Sequence, residues 1–157
     1  MILPLLLFAA QVTPVAPLPK GTALPMDTSD ERAVMVPVDR VFEALAARDG
    51  TLILAQVTAQ GGTTVATERP DGTRIVRQTN WAEFAAGIKP GPERYEERLR
   101  NPAIEIDGDI AMVWGRYDFL IDGKLHHCGV DHFGLVREAG VWKISSISWS
   151  SRTKGCE

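Results

Sequence analysis

Three glycine-containing turns, Asp107-Gly108, Asp122-Gly123 and Ala139-Gly140, separate four long alternating runs between about Tyr95 and about Arg152. Asp-Gly between alternating segments is a strong hairpin signal, because a type I′ turn requires positive φ at both central residues. Ala-Gly is weaker, yet Gly140 still supplies one such position. The segment therefore reads as a four-stranded antiparallel meander. Its turns fix register, and register decides which polar side chains share a face.

Helical patterning precedes the meander. Asp27, Ser29 or Asp30 can cap a helix, and Val34, Val38, Val41, Phe42, Leu45 and Ala46 recur at helical spacing. Pro37 interrupts this stripe, so the helix is expected to start at Val36 or to kink there. Arg48-Asp49-Gly50 ends it, and Leu52 and Ala55 fall in a second short helix or turn. Ala59 to Arg69 and Thr73 to Thr79 form a hairpin of their own around Pro70-Asp71-Gly72, and Asn80 caps a short helix, Trp81 to Gly87. This order predicts an α+β domain with helices packed on a strongly curved antiparallel sheet. A sheet that wraps a helix leaves a conical cavity at its open end, an ordinary place for a small molecule.

Composition narrows the function classes. The chain has 157 residues, 45% of them hydrophobic, enough for one domain with a real core. A net charge of −3 without a Lys/Arg cluster argues against nucleic acid. No apolar run of membrane-spanning length occurs, so no stable membrane span is expected. Gly61-Gly62 lacks phosphate-loop spacing, the two cysteines are not at metal-ligand spacing, and three histidines are few for a zinc site. Neither a cofactor nor a metal is expected.

Residues 1–28 read as a leader and a Pro-rich linker, and residues 29–157 as the domain. Met1 to Ala10 (MILPLLLFAA) resembles the apolar core of a secretory signal, and prolines at 14, 17, 19 and 25 follow it. No Lys or Arg precedes Lys20, so the basic n-region is missing. The expectation is a periplasmic or secreted protein; the alternative is an N-terminal tail on a cytoplasmic one. In an exported protein Cys128 and Cys156 can form one disulfide; two independent thiols are the other reading.

With each turn taken as a two-residue loop, Leu135 faces Ile144, Asp131 faces Ser148, Asp118 faces His127 and Asn101 faces Trp114. The core face then carries Met112, Trp114, Phe133, Leu135, Trp142 and Ile144. It turns polar at one end, with Glu97, Asn101, Arg116, Asp118, His127, Asp131 and Ser148. Trp114, Arg116, Asn101, Phe133 and Ser148 are the expected ligand contacts. The opposite face holds Tyr117, Phe119, His126, Cys128, Val130, His132, Ile147 and Trp149. That face is too apolar for simple solvation, so a homodimer through Tyr117, Phe119 and Trp149 is expected. Asp131 is either a general base raised by desolvation or a carboxylate bonded to Ser148 or Arg116. His127 opposite Asp118 is either an oriented acid/base or a cross-strand surface pair. Arg116 either clamps a ligand anion or neutralises Glu97 and Asp131.

The run His127-Cys128-Gly129-Val130-Asp131-His132-Phe133-Gly134-Leu135-Val136, followed by Gly140-Val141-Trp142-Lys143-Ile144, resembles the last hairpin of nuclear transport factor 2-like (SnoaL-like) domains. The helix Val38 to Ala47 with Asp49-Gly50 and Leu52 is similar to their first helix and its exit. The resemblance covers roughly residues 31–152, and the sequence is also similar to the exported lumazine-binding-like branch. It implies a cone-shaped half-barrel of the cystatin-like type, often dimeric. Its members include ketosteroid isomerases, cyclases, dehydratases and domains that only bind. It also implies that a pocket Asp, or an Asp-His pair, serves as base in the catalytic members; Asp131 or Asp118 with His127 match that role here. The expected function is binding of a small hydrophobic or aromatic molecule. A small lyase or isomerase, or a dimeric assembly domain, are the alternatives.

Overall fold

The valine stripe of the first helix dictates how the domain closes. In the computed structural model, which describes residues 29–156, helix α1 runs Ser29–Ala47. Val34, Val38, Val41 and Ala44 lie almost wholly out of solvent, against Val113, Phe133, Leu135 and Ile144 of the sheet. Each such aliphatic side chain stabilises by about 1.5–3 kcal/mol on burial. Pro37 is buried inside α1 and neither starts nor ends it. It costs the Ala33 carbonyl its helical donor, and the burial of its neighbours outweighs that loss. The leader, the linker and the candidate cap Asp27 lie outside the described residues.

Helix α1 stops in a Schellman arrangement: Arg48 N–H donates to the Leu45 carbonyl and Asp49 N–H to the Ala44 carbonyl, both at 3.0 Å. Arg48 holds the left-handed position (φ 53°) although it is not glycine. Its guanidinium explains the choice. Nε donates to the Lys89 carbonyl at 2.8 Å, Nη1 pairs with Glu93, and the group lies 4.2 Å from the Tyr95 ring centre. The helix end is thereby tied to the start of strand β3, which carries part of the site described below. Helix α2 (Thr51–Leu54) follows directly.

Strands β1 (Val57–Glu68) and β2 (Arg74–Asn80) form the expected hairpin. It does not stand alone: β1 pairs in parallel with the last strand. Asn80 and Glu83 form a reciprocal capping box on helix α3 (Trp81–Gly87). The meander is β3 (Tyr95–Asp107), β4 (Ile110–Ile121), β5 (Lys124–Glu138) and β6 (Val141–Arg152). The six-stranded sheet has the order β2-β1-β6-β5-β4-β3, antiparallel except at β1–β6. Asp122-Gly123 and Ala139-Gly140 have positive φ at both positions, as a type I′ turn needs. In the first hairpin Asp107 already pairs with Ile110, so the loop is Gly108-Asp109, one residue later than expected.

Every hairpin of the meander also shifts register once. On β3, Asn101 and Pro102 are accommodated between the pairs Arg100–Arg116 and Ala103–Trp114. On β5, His126 is the extra residue between Phe119–His127 and Leu120–Leu125. On β6, Ser145 is the extra residue between Gly134–Ser146 and Leu135–Ile144. One extra residue inverts the facing of everything beyond it. Near the β5–β6 turn the expected facing holds, with Phe133, Leu135, Trp142 and Ile144 buried. Beyond the shifts it is corrected. Tyr117, Phe119, Ile147 and Trp149 face the helices rather than outward. Met112, Trp114, Arg116, Asp118 and Ser148 belong to the outer face.

Cys128 and Cys156 are joined by a disulfide, with their Cα atoms 5.7 Å apart. The bond ties the segment after β6 back onto β5. Among the described residues no helix is long and apolar enough to cross a membrane.

Candidate functional site

The inverted strand ends, together with α1 and α3, enclose a cavity of about 180 Å³. For scale, an apolar cavity of about 150 Å³ admits benzene. Val41, Tyr117, Asp131, Phe133 and Ile147 form its buried floor. Phe42, Leu45, Phe84, Phe119, His127 and Trp149 are half-buried and line the way out. Phe42 meets Phe133 edge-on at 5.9 Å, and Phe84 meets Trp149 at the same separation. The charged side chains that line the cavity are Glu97, reaching in from the outermost strand β3, and Asp131.

Asp131 is 3% exposed, and its Oδ2 is buried without a hydrogen-bond partner. Burial pushes its carboxyl up to about 7, while hydrogen bonding with Glu97 pulls the other way. Glu97 is held well above the usual carboxylate range, first by burial, then by the charge of Asp131 and the hydrogen bond with it. Two ionised carboxylates are acceptors only, so a hydrogen bond between them requires a proton. The two acids therefore titrate as one unit that shares a proton.

Tyr117 lines the cavity beside this pair but gives its hydroxyl to the Ser150 carbonyl at 2.9 Å. Burial, with the charges of Asp131 and Glu97, pushes the phenol up, so it remains a donor already in use. Gly129 makes this contact possible. A Cβ built there would lie 1.8 Å from the Ser150 carbonyl oxygen, a main-chain atom that cannot swing aside. At Gly115, opposite Asp131 in register, the nearest atom is the Leu99 side chain at 2.9 Å. Gly129→Ala is therefore expected to destabilise by about 1–3 kcal/mol in urea titrations, with Gly115→Ala costing less. Equal costs for the two would mean that the Ser150 carbonyl gives way as readily as the Leu99 side chain.

His127 faces the cavity as expected, but Asp118 is not its partner. Asp118 sits on the outer face, in register with Cys128, and accepts from Arg100 Nε at 2.7 Å. His127 instead stacks on Phe119 at 4.7 Å between ring centres and shares a 2.9 Å Nδ1–Nδ1 contact with His126. Burial, then the neighbouring His126, lowers its pKa to about 4, so the imidazole is neutral at pH 7.

The expected ligand contacts divide in the same way. Phe133 is in the cavity floor. Trp114 is 51% exposed and rests against His132 on the outer face, 5.9 Å between rings. Ser148 pairs with His132 on that face, Arg116 is exposed, and Asn101 is an exposed residue of the β3 irregularity. Sequence reasoning placed Glu97 and Asp131 on one face but missed their coupling, and it missed the aromatic wall. One signal for the wall was present: along β6 the apolar positions change parity, from Trp142 and Ile144 to Ile147 and Trp149, across Ser145-Ser146. Among the described residues no group of three or more His, Cys, Asp and Glu side chains is placed to hold a metal ion.

No family model matches this sequence, and no curated protein matches it. Solved structures do match. An NTF2-like protein of unknown function from Shewanella baltica superposes with a TM-score of 0.59 at 17% identity, over 80% of this chain and 95% of that one. A protein of unknown function with a cystatin-like fold from Nostoc punctiforme gives 0.61 at 13% identity, over 83% and 97%. An NTF2-like superfamily protein from Salmonella enterica gives 0.59 at 16% identity, over 80% and 93%. The fold is the nuclear transport factor 2-like fold. Identities this low show the fold alone, so the chemistry of the NTF2-like cavity rests on its own residues.

Proposed function

We propose that this NTF2-like domain binds a small, largely apolar molecule in the cavity between α1, α3 and the sheet, oriented by the Glu97–Asp131 pair. The observation that carries this reading is the aromatic-walled cavity with Asp131 in its floor, a buried carboxylate whose Oδ2 has no hydrogen-bond partner. A buried polar atom without a partner costs about 1–3 kcal/mol, and a ligand donor would remove that cost. The SnoaL-like resemblance supports the same reading, and the leader-like Met1 to Ala10 with the Cys128–Cys156 disulfide supports a location outside the cytoplasm.

Native mass spectrometry of the protein purified from its own host is the test. The expected spectrum shows a bound small molecule that is lost on denaturation, together with a shortened N-terminus. An empty protein would overturn the binding reading, and an unprocessed chain would overturn export. A second reading, a lyase or isomerase acting beside a carbonyl, is favoured by one observation: an acid held near 7 can exchange protons at neutral pH. On that reading the captured molecule is converted by the protein, and Asp131→Asn abolishes the conversion.

A further inference from the structure

Resting on the binding reading above, we propose that the cavity is a site for an organic cation. The ligand is a small protonated amine whose apolar or aromatic body fills the cavity and whose ammonium group sits on the Glu97 and Asp131 carboxyls. Three observations converge. First, among the described residues the charged side chains lining the cavity are both acids, and no Lys or Arg lines it. Arg100, which shares strand β3 with Glu97, is committed to Asp118 on the opposite face. Second, the walls include Phe84, Phe119, Phe133 and Trp149, whose ring faces attract a cation electrostatically. Third, Asp131 Oδ2 is buried without a donor, and an ammonium group supplies N–H donors and a compensating charge together.

Other ligand classes fit less well. A carboxylate or phosphate would bring a further negative charge against two acids in a desolvated space. A neutral alcohol or carbonyl would leave the charge of the acid pair uncompensated. The neutral state of His127 removes the one competing cation among the lining side chains.

The test compares three probes of one shape by titration calorimetry at pH 7: benzylammonium, benzyl alcohol and benzoate. Benzylammonium is expected to bind at least about tenfold tighter than benzyl alcohol, with benzoate weakest. In the double variant Glu97→Gln, Asp131→Asn this preference should disappear. Benzyl alcohol binding as tightly as benzylammonium to the unaltered protein overturns the cation and leaves the pocket reading standing. A preference that survives the double variant also overturns the proposal, because the ammonium would then sit elsewhere. No binding by any of the three overturns both. If the double variant does not fold, the comparison of probes on the unaltered protein decides.

Discussion

Asp131→Asn is expected to make the protein more stable at pH 8, by an amount on the order of a few kcal/mol, and no more stable at pH 4. The sign follows from the direction of the shift. The folded state holds the Asp131 proton up to about 7, whereas the unfolded chain releases it near 3.8. Stability from this group is complete below the unfolded value and is lost as pH rises through the folded one. An isosteric amide cannot ionise, so the variant escapes the loss. Its N–H₂ can also donate to Glu97, replacing the shared proton. The advantage should open between about pH 4 and 7 and then level off. His127 runs the other way, since its lowered pKa makes stability rise with pH between about 4 and 6.5. It is present in both proteins and cancels in the difference. Chemical denaturation of the pair across this range is the measurement. A difference that does not vary with pH, or a variant weaker at pH 8, would show that Asp131 is not a desolvated acid.

Removing the disulfide should produce the largest loss. Cys128 and Cys156 close a loop of 28 residues, which the chain-entropy model values at about 3–4 kcal/mol. For a chain of this length that corresponds to about 10 °C in Tm. Cys156→Ser is the informative variant, because it leaves Cys128 as a buried thiol, which packs as a small apolar group. Reductant should lower the Tm of the unaltered protein to that of the variant and leave the variant unmoved. A Tm indifferent to reductant would mean that the two sulfurs are not joined in solution.

How much of this was written in the sequence depends on distance from a turn. The helix stripe Val34, Val38 and Val41, the Asn80 cap, the β1–β2 hairpin and all four meander strands are local patterns, and local physics forms them. The polar pair was legible for two different reasons: Asp131 alternates with Phe133 and Leu135 along an unbroken stretch of β5, and Glu97 lies beyond two changes of register, at His126 and at Asn101-Pro102, whose effects on facing cancel. The aromatic wall was not legible from turn counting. Register taken from the turns carries Tyr117, Phe119 and Trp149 to the wrong face once His126 and Ser145 are inserted. Asn101-Pro102 was a further warning, because proline cannot donate to a ladder and mid-strand it marks an irregularity. The role of Arg48 was invisible for want of any local pattern, since its partners Lys89, Glu93 and Tyr95 lie more than forty positions away in the chain.

In the β3–β4 and β5–β6 hairpins the register shift also divides the strands into two compartments. The segment between turn and shift builds the core under α1; the segment beyond builds the cavity. A change of loop length at Gly108-Asp109, Asp122-Gly123 or Ala139-Gly140 is absorbed at the tip and leaves the lining residues in place. Deleting Ser145 alone would straighten β6 and leave Ile147 and Trp149 facing inward, because the pairs Leu135–Ile144 and Gly134–Ser146 would then follow one another without interruption. The extra residue is thus what lets apolar positions at odd spacing, Ile144 and Ile147, share one face. A chain of this fold can therefore lose that one residue and keep the same lining, with the core untouched.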